Sequence, residues 1–241
     1  MSEQLRMEEF IKEDKITGFG EPHLACVLLL DTSSSMFGNA IRSLNEGVRR
    51  FKEAVAADPI AQKRVDVALV TFNTTVNVIS DFVPISQMPT PELEAEGLTN
   101  MAEGIQTAID LVKRRTEMYQ TLGTPCHKPW IFMITDGEST SDTFAMEQAS
   151  IRIKLEEEKG THGRLAFWAL GTGDYDADEI FQLTPRVLEL RDENFNGIFN
   201  WLSESMSTIS QSQIGEQIEF SLLPDNVRKA QKDRTINDEW Y

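Results

Sequence analysis

The sequence predicts an α/β protein with a doubly wound, mostly parallel central sheet, one antiparallel edge strand and helices on both faces. Three observations carry this. The runs LACVLLL (24–30), WIFMIT (130–135) and LAFWAL (165–170) are continuously apolar, as strands covered on both faces must be. Amphipathic stretches long enough for helices separate them. Strands alternating with such helices fold into parallel sheets.

Each element follows in order. Ile41, Leu44, Val48, Phe51 and Val55 recur at spacings of three and four, which marks one face of a helix ended by Asp58-Pro59. VDVALVTF (65–72) reads as a strand, and TTVNVIS (74–80), after a tight polar turn, as its antiparallel hairpin partner. PISQMPTPELEAEG holds three of the nine prolines and reads as a surface loop. A helix is predicted over about 100–118, with Ile105, Ala108, Ile109 and Val112 inward. Others are predicted around 143–158 and near 178–183. RVLEL (186–190) reads as a strand. The last helix carries Phe195, Ile198, Phe199, Leu202, Met206 and Ile209 on one stripe. The domain is expected over 23–212, between an acidic N-terminal extension (1–22, with a short helix around Leu5 to Ile11) and a C-terminal extension (213–241) whose apolar patch IEFSLL has no assigned role.

Composition narrows the function. Hydrophobic residues make up 40% and charged residues 26% of 241, enough for a sizeable core. Twenty-three basic against thirty-nine acidic residues leave a net charge of −16. That field repels phosphate backbones and anionic lipid, so neither nucleic acid nor membrane is an expected partner. No apolar run is long enough to span a bilayer and the N-terminus has no secretory core, so a cytoplasmic protein is expected. Cys26 and Cys126 make no metal motif and read as two free thiols.

The chemistry lies at two strand ends. One apolar run ends in Asp31-Thr32-Ser33-Ser34-Ser35, the other in Thr135-Asp136-Gly137-Glu138. In doubly wound sheets ligands bind beyond the carboxyl ends of the strands. If these strands are neighbours, two carboxylates meet there, which is costly without a proton or a cation between them. Asp31, Ser33 and Ser35 fall at i, i+2 and i+4, on one side of an extended segment. Thr99, in GLTN before the long helix, can add a fifth oxygen. Such a hard, all-oxygen set suits Mg²⁺, with Mn²⁺ or Ca²⁺ as alternatives, some ligands acting through water and one position left open. Singly, each residue has a plainer role. Ser33 to Ser35 can cap a helix starting near Asn39, Thr99 or Asn100 can cap the long helix with Glu103 closing a capping box, and Asp136-Gly137 is a common turn pair.

As a set, Asp31, Ser33, Ser35, Thr99 and Asp136 resemble the metal-ion-dependent adhesion site of von Willebrand factor A (vWA) domains: D-x-S-x-S, then a threonine, then an aspartate in a T-D-G context. VLLLDTSSSM, VTFN, EGLTNMAEGI and KPWIFMITDGESTSD are similar, more narrowly, to bacterial TerY-like proteins of the tellurium-resistance group. The resemblance runs from about 24 to 212 and departs at Ser34, where glycine is commoner. It implies binding rather than turnover. A partner protein would supply an Asp or Glu carboxylate to the metal, in an adaptor or regulator of a bacterial stress or phage-response system with kinase and phosphatase partners. The rival reading is a Mg²⁺-dependent phosphatase of the haloacid-dehalogenase type, but that chemistry needs a second acid where this chain has Ser33. No GxSxG elbow supports a serine hydrolase. His23, His127 and His162 lack partners at metal-ligand spacing. Asp174, Asp176 and Asp178 lack the glycine and glutamate of a calcium loop. No catalytic residue is expected.

Overall fold

A computed structural model describes residues 16–17, 20–159 and 165–231. The helix expected around Leu5 to Ile11, His162 and Trp240 lie outside them. Seven strands form one sheet in the order β3-β2-β1-β4-β5-β6-β7. They are β1 (Leu24–Asp31), β2 (Val65–Phe72), β3 (Val76–Pro84), β4 (Trp130–Thr135), β5 (Ala166–Thr172), β6 (Val187–Leu190) and β7 (Val227–Lys229). The central five are parallel, and β3 runs antiparallel at one edge as expected. β3 is longer than its predicted run. Its register against β2 shifts between Val67, Leu69 and Val70.

The helices are α1 (Asn39–Ala57), α2 (Ala61–Arg64), α3 (Met101–Thr121), α4 (Thr143–Glu158), α5 (Ala177–Leu183) and α6 (Asn196–Gln211). Alternate residues of β1 face opposite sides, as the period of two requires. Leu24, Cys26, Leu28 and Leu30 pack with α1 and α6, whereas Ala25, Val27 and Leu29 pack with α3 to α5. Every apolar residue predicted to face inward on α1, α3 and α6 is buried. Gly47 lets α1 and α6 approach closely: a Cβ there would lie 2.1 Å from Phe199 Cδ2.

The segment after α6 does more than extend the chain. β7 pairs antiparallel with β6, giving the sheet a second antiparallel edge. Phe220 of IEFSLL packs 5.4 Å, centroid to centroid, from Trp130, beside Trp168 and Trp201. Trp201 Nε1 donates to the Ser221 carbonyl at 2.9 Å. The apolar patch therefore covers an aromatic cluster.

All eight residues of β2 are buried. Its one charge, Asp66, is compensated at the opposite end of the sheet from the DTSSS loop. Asp66 Oδ2 lies 2.8 Å from both His23 Nδ1 and an Arg115 terminal nitrogen, and accepts from the Tyr119 hydroxyl. Burial alone would raise the Asp66 carboxyl, but Arg115 and His23 outweigh it and hold it below the usual carboxylate range. A depressed carboxylate stabilises the fold above its unfolded value and loses that contribution as pH falls through the folded one. Both thiols are free, and burial pushes Cys26 up to about 12.

Removing one partner of a buried ion pair strands the other. Arg115→Ala should cost about 3–5 kcal/mol in urea unfolding at pH 7. Its deficit should shrink as pH falls and Asp66 protonates in both states. A deficit independent of pH would contradict this account.

Candidate metal centre

Parallel pairing sets Leu30 opposite Ile134, so the next residues, Asp31 and Thr135, end neighbouring strands together. Thr135 Oγ1 donates to Asp31 Oδ2 at 2.6 Å, and the Ser33 N–H donates to Oδ1 at 2.8 Å. Ser33 Oγ and Ser35 Oγ lie 2.9 Å apart, and Ser35 Oγ donates to Asp136 Oδ1 at 2.6 Å. Asp31, Ser33, Ser35 and Asp136 are thus joined in one hydrogen-bonded chain drawn from two strand ends.

The serines do not cap a helix. Ser33 precedes the 3-10 turn Ser34–Met36 with no side-chain cap bond, and the residue before α1 is Gly38, which has no side chain to offer. Their hydroxyls are committed to one another and to Asp136 instead.

Thr99 is placed by its backbone. Gly97, at φ 75°, a region natural only to glycine, turns its carbonyl to the Ser34 N–H at 3.1 Å. The Thr99 N–H donates to Thr140 Oγ1 at 3.1 Å, and its carbonyl accepts the Thr140 N–H at 2.9 Å. The Thr99 side chain is buried, and no hydrogen bond joins it to the other four. Asn100 precedes α3 but makes no cap bond from its side chain. The Ala102 N–H is capped instead by Ser141 Oγ at 3.1 Å, across from the other loop.

The candidate set drawn from the sequence leaves out Thr135, Ser139, Thr140 and Ser141. Ser139 Oγ donates to the Thr99 carbonyl at 3.4 Å, while Glu179 Oε2 accepts the Ser139 N–H at 2.9 Å. The only available signal was the hydroxyl run EST-S following TDG. In the neighbouring GTGDYDAD loop, Asp176 accepts the Glu179 N–H at 3.0 Å and so caps α5 rather than serving a calcium loop.

Asp31 is fully buried. Burial, only partly offset by the Thr135 and Ser33 hydrogen bonds and reinforced by Asp136, pushes its carboxyl up to about 6. Burial likewise raises Asp136 despite the Ser35 bond. Two carboxyls raised this way favour a proton or a cation between them. Among the described residues no three His, Cys, Asp or Glu side chains gather into a metal-holding group. A cation here would therefore be bound through hydroxyls as well, an oxygen-only set that fits hard divalent ions and not soft ones.

Residues 26–138 match the sequence model of the von Willebrand factor type A domain. The fold is that of a vWA domain. Among solved structures, this vWA fold resembles the pilus adhesin SpaC from Lactobacillus rhamnosus GG (TM-score 0.62, 13% identity, covering 80% of this chain and 32% of that one). It also resembles the vWF domain of the type V pili tip protein Mfa5 from Porphyromonas gingivalis (0.55, 13%, 83% and 99%). A third is the ArnB paralog VWA2 from Sulfolobus acidocaldarius (0.51, 15%, 77% and 45%). The chain thus spans less than half of the archaeal protein. At such identities the likeness is one of fold. Comparison with curated proteins finds no match. Among the described residues no helix is long and apolar enough to cross a membrane.

A raised carboxyl destabilises the fold only where it must ionise. Its contribution is neutral below the unfolded value and unfavourable once pH passes the folded one. In chelator at pH 8, Asp31→Asn should therefore be more stable than the parent chain by roughly 1–3 kcal/mol in urea unfolding. The gain should disappear near pH 4. Equal stability at both pH values would refute the strained-carboxylate account.

Proposed function

We propose that the chain is a metal-ion-dependent protein-binding module. Asp31, Ser33, Ser35, Thr99 and Asp136 hold a divalent cation, with Mg²⁺ the first choice on donor hardness, and a partner protein's Asp or Glu completes its coordination. The observation that carries this is the hydrogen-bonded chain from Asp31, through the Ser33 N–H and the Ser33 and Ser35 hydroxyls, to Asp136, with both carboxyls raised by burial.

When bound, the cation would offset the two carboxylates and attract an incoming acid. The chain's own residues do the rest. Thr135 and the Ser33 N–H fix the orientation of Asp31, Ser35 ties the two loops, and the Thr140 clamp sets Thr99. The family resemblance extends the reading to a TerY-like adaptor or regulator in a bacterial stress or phage-response system. Kinase and phosphatase partners and a cytoplasmic setting, where two free thiols persist, belong to that extension. Binding is favoured over phosphoester hydrolysis because Ser33 stands where the dehalogenase-type enzyme needs its second acid.

Ligand binding stabilises the folded state by RT ln(1 + [L]/Kd). Titrating MgCl₂ into chelated protein should raise its Tm by several degrees, corresponding to about 2–3 kcal/mol near a hundredfold excess over Kd. Asp31→Ala and Ser35→Ala should abolish or blunt the rise. A Tm unmoved by Mg²⁺, Mn²⁺ and Ca²⁺ in the parent chain would sink the proposal, as would steady Mg²⁺-dependent turnover of a generic phosphate ester lost in Asp31→Ala.

A further inference from the structure

The three loops that bring the oxygens together each also hold out a large apolar side chain. Phe37, two residues after Ser35, is 80% exposed; Leu98, immediately before Thr99, is 58% exposed; Phe144, in the first turn of α4, is 69% exposed. A single exposed apolar residue is ordinary, but a grouped set marks a contact surface. These loops are laced together, Ser34 to Gly97 and Thr99 to Thr140 by backbone bonds and Ala102 to Ser141. The three side chains therefore belong to one rim. The Phe144 face continues along α4. Ile151 and Leu155, about half exposed, stand seven and eleven residues further on, within about 20° of the same direction on the helix.

The rim is also acidic. The Glu96 N–H bonds the Thr32 carbonyl at 2.9 Å, Glu138 stands two residues after Asp136, and Glu193 is near enough for its charge to act on Asp136. A partner rich in acids would be repelled by this field, which adds to the net charge of −16. Only a lone carboxylate in otherwise basic surroundings is electrostatically complementary.

From the apolar collar and the acidic field together, we infer that this rim binds a protein segment in which one acidic residue is flanked by large apolar residues and by Lys or Arg. The inference rests on the proposal that the site takes a carboxylate onto a metal. The apolar side chains of the segment lie over Phe37, Leu98 and Phe144 and run out along Ile151 and Leu155. Its basic side chains face Glu96, Glu138 and Glu193.

Selection from a displayed random-peptide library against the full chain, in Mg²⁺ and in EDTA, tests this. The expected result is Mg²⁺-dependent enrichment of peptides with a single acid, apolar neighbours and net positive charge. For the best peptide, the double variant Phe37→Ser/Phe144→Ser should weaken binding about tenfold or more while keeping the Mg²⁺-induced rise in Tm. Glu96→Gln/Glu138→Gln should flatten the salt dependence of binding. Enriched peptides with acidic or purely polar flanks, no enrichment in Mg²⁺, or an unchanged affinity in the Phe37→Ser/Phe144→Ser variant would overturn the inference and leave the metal reading standing on the Tm titration. Loss of that titration in the parent chain would instead remove the metal reading itself.

Discussion

The constraint on which the site depends is the parallel register of β1 and β4. With Leu30 opposite Ile134, Asp31 and Thr135 are delivered to the same point on the sheet edge, and the loops beyond them have to meet. A shift of one residue would turn Asp31 to the other face of the sheet and break its bond to Thr135. The fully apolar strands, packed by α1 and α6 on one side and α3 to α5 on the other, hold that register. Core packing thus sets the geometry of the oxygens.

Charge is buried at both ends of this sheet, with opposite consequences. At one end Asp66 is met by His23, Arg115 and Tyr119 and is held ionised. At the other Asp31 meets only neutral donors and a second carboxylate, and its ionisation is opposed. The same residue type, equally buried, is a source of stability in one place and of strain in the other. The difference is the presence of a cationic partner, which the fold supplies from α3 at the first site and not at the second.

The elements legible in the sequence were those whose burial imposes a long pattern. The strands at 24–30 and 130–135 read as unbroken apolar runs because helices cover both faces, and α1, α3 and α6 show three-four spacing because only one side is buried. β7 is three residues, two of them exposed, too short for any period to appear. α2 is a single turn. The partners of Asp66 come from just before β1 (His23) and from α3, a meeting of distant segments that no local pattern encodes. The site was half legible for a related reason. Asp31, Ser33 and Ser35 share a local spacing, whereas the support given to Thr99 by Ser139, Thr140 and Ser141 crosses about forty residues through backbone atoms and carries no distinctive residue type beyond hydroxyls.

The shifts in register between β2 and β3 have an effect outside the molecule. β3 lies at the open side of the sheet, with Val78 and Ile79 partly exposed, and a flat strand of that kind invites a second chain to add itself by backbone pairing. An irregular ladder bends and twists its strand, so β3, at the edge of the sheet among the described residues, does not offer a straight template. The irregular ladder thus makes this border a poor place for a second copy of the sheet to dock edge to edge.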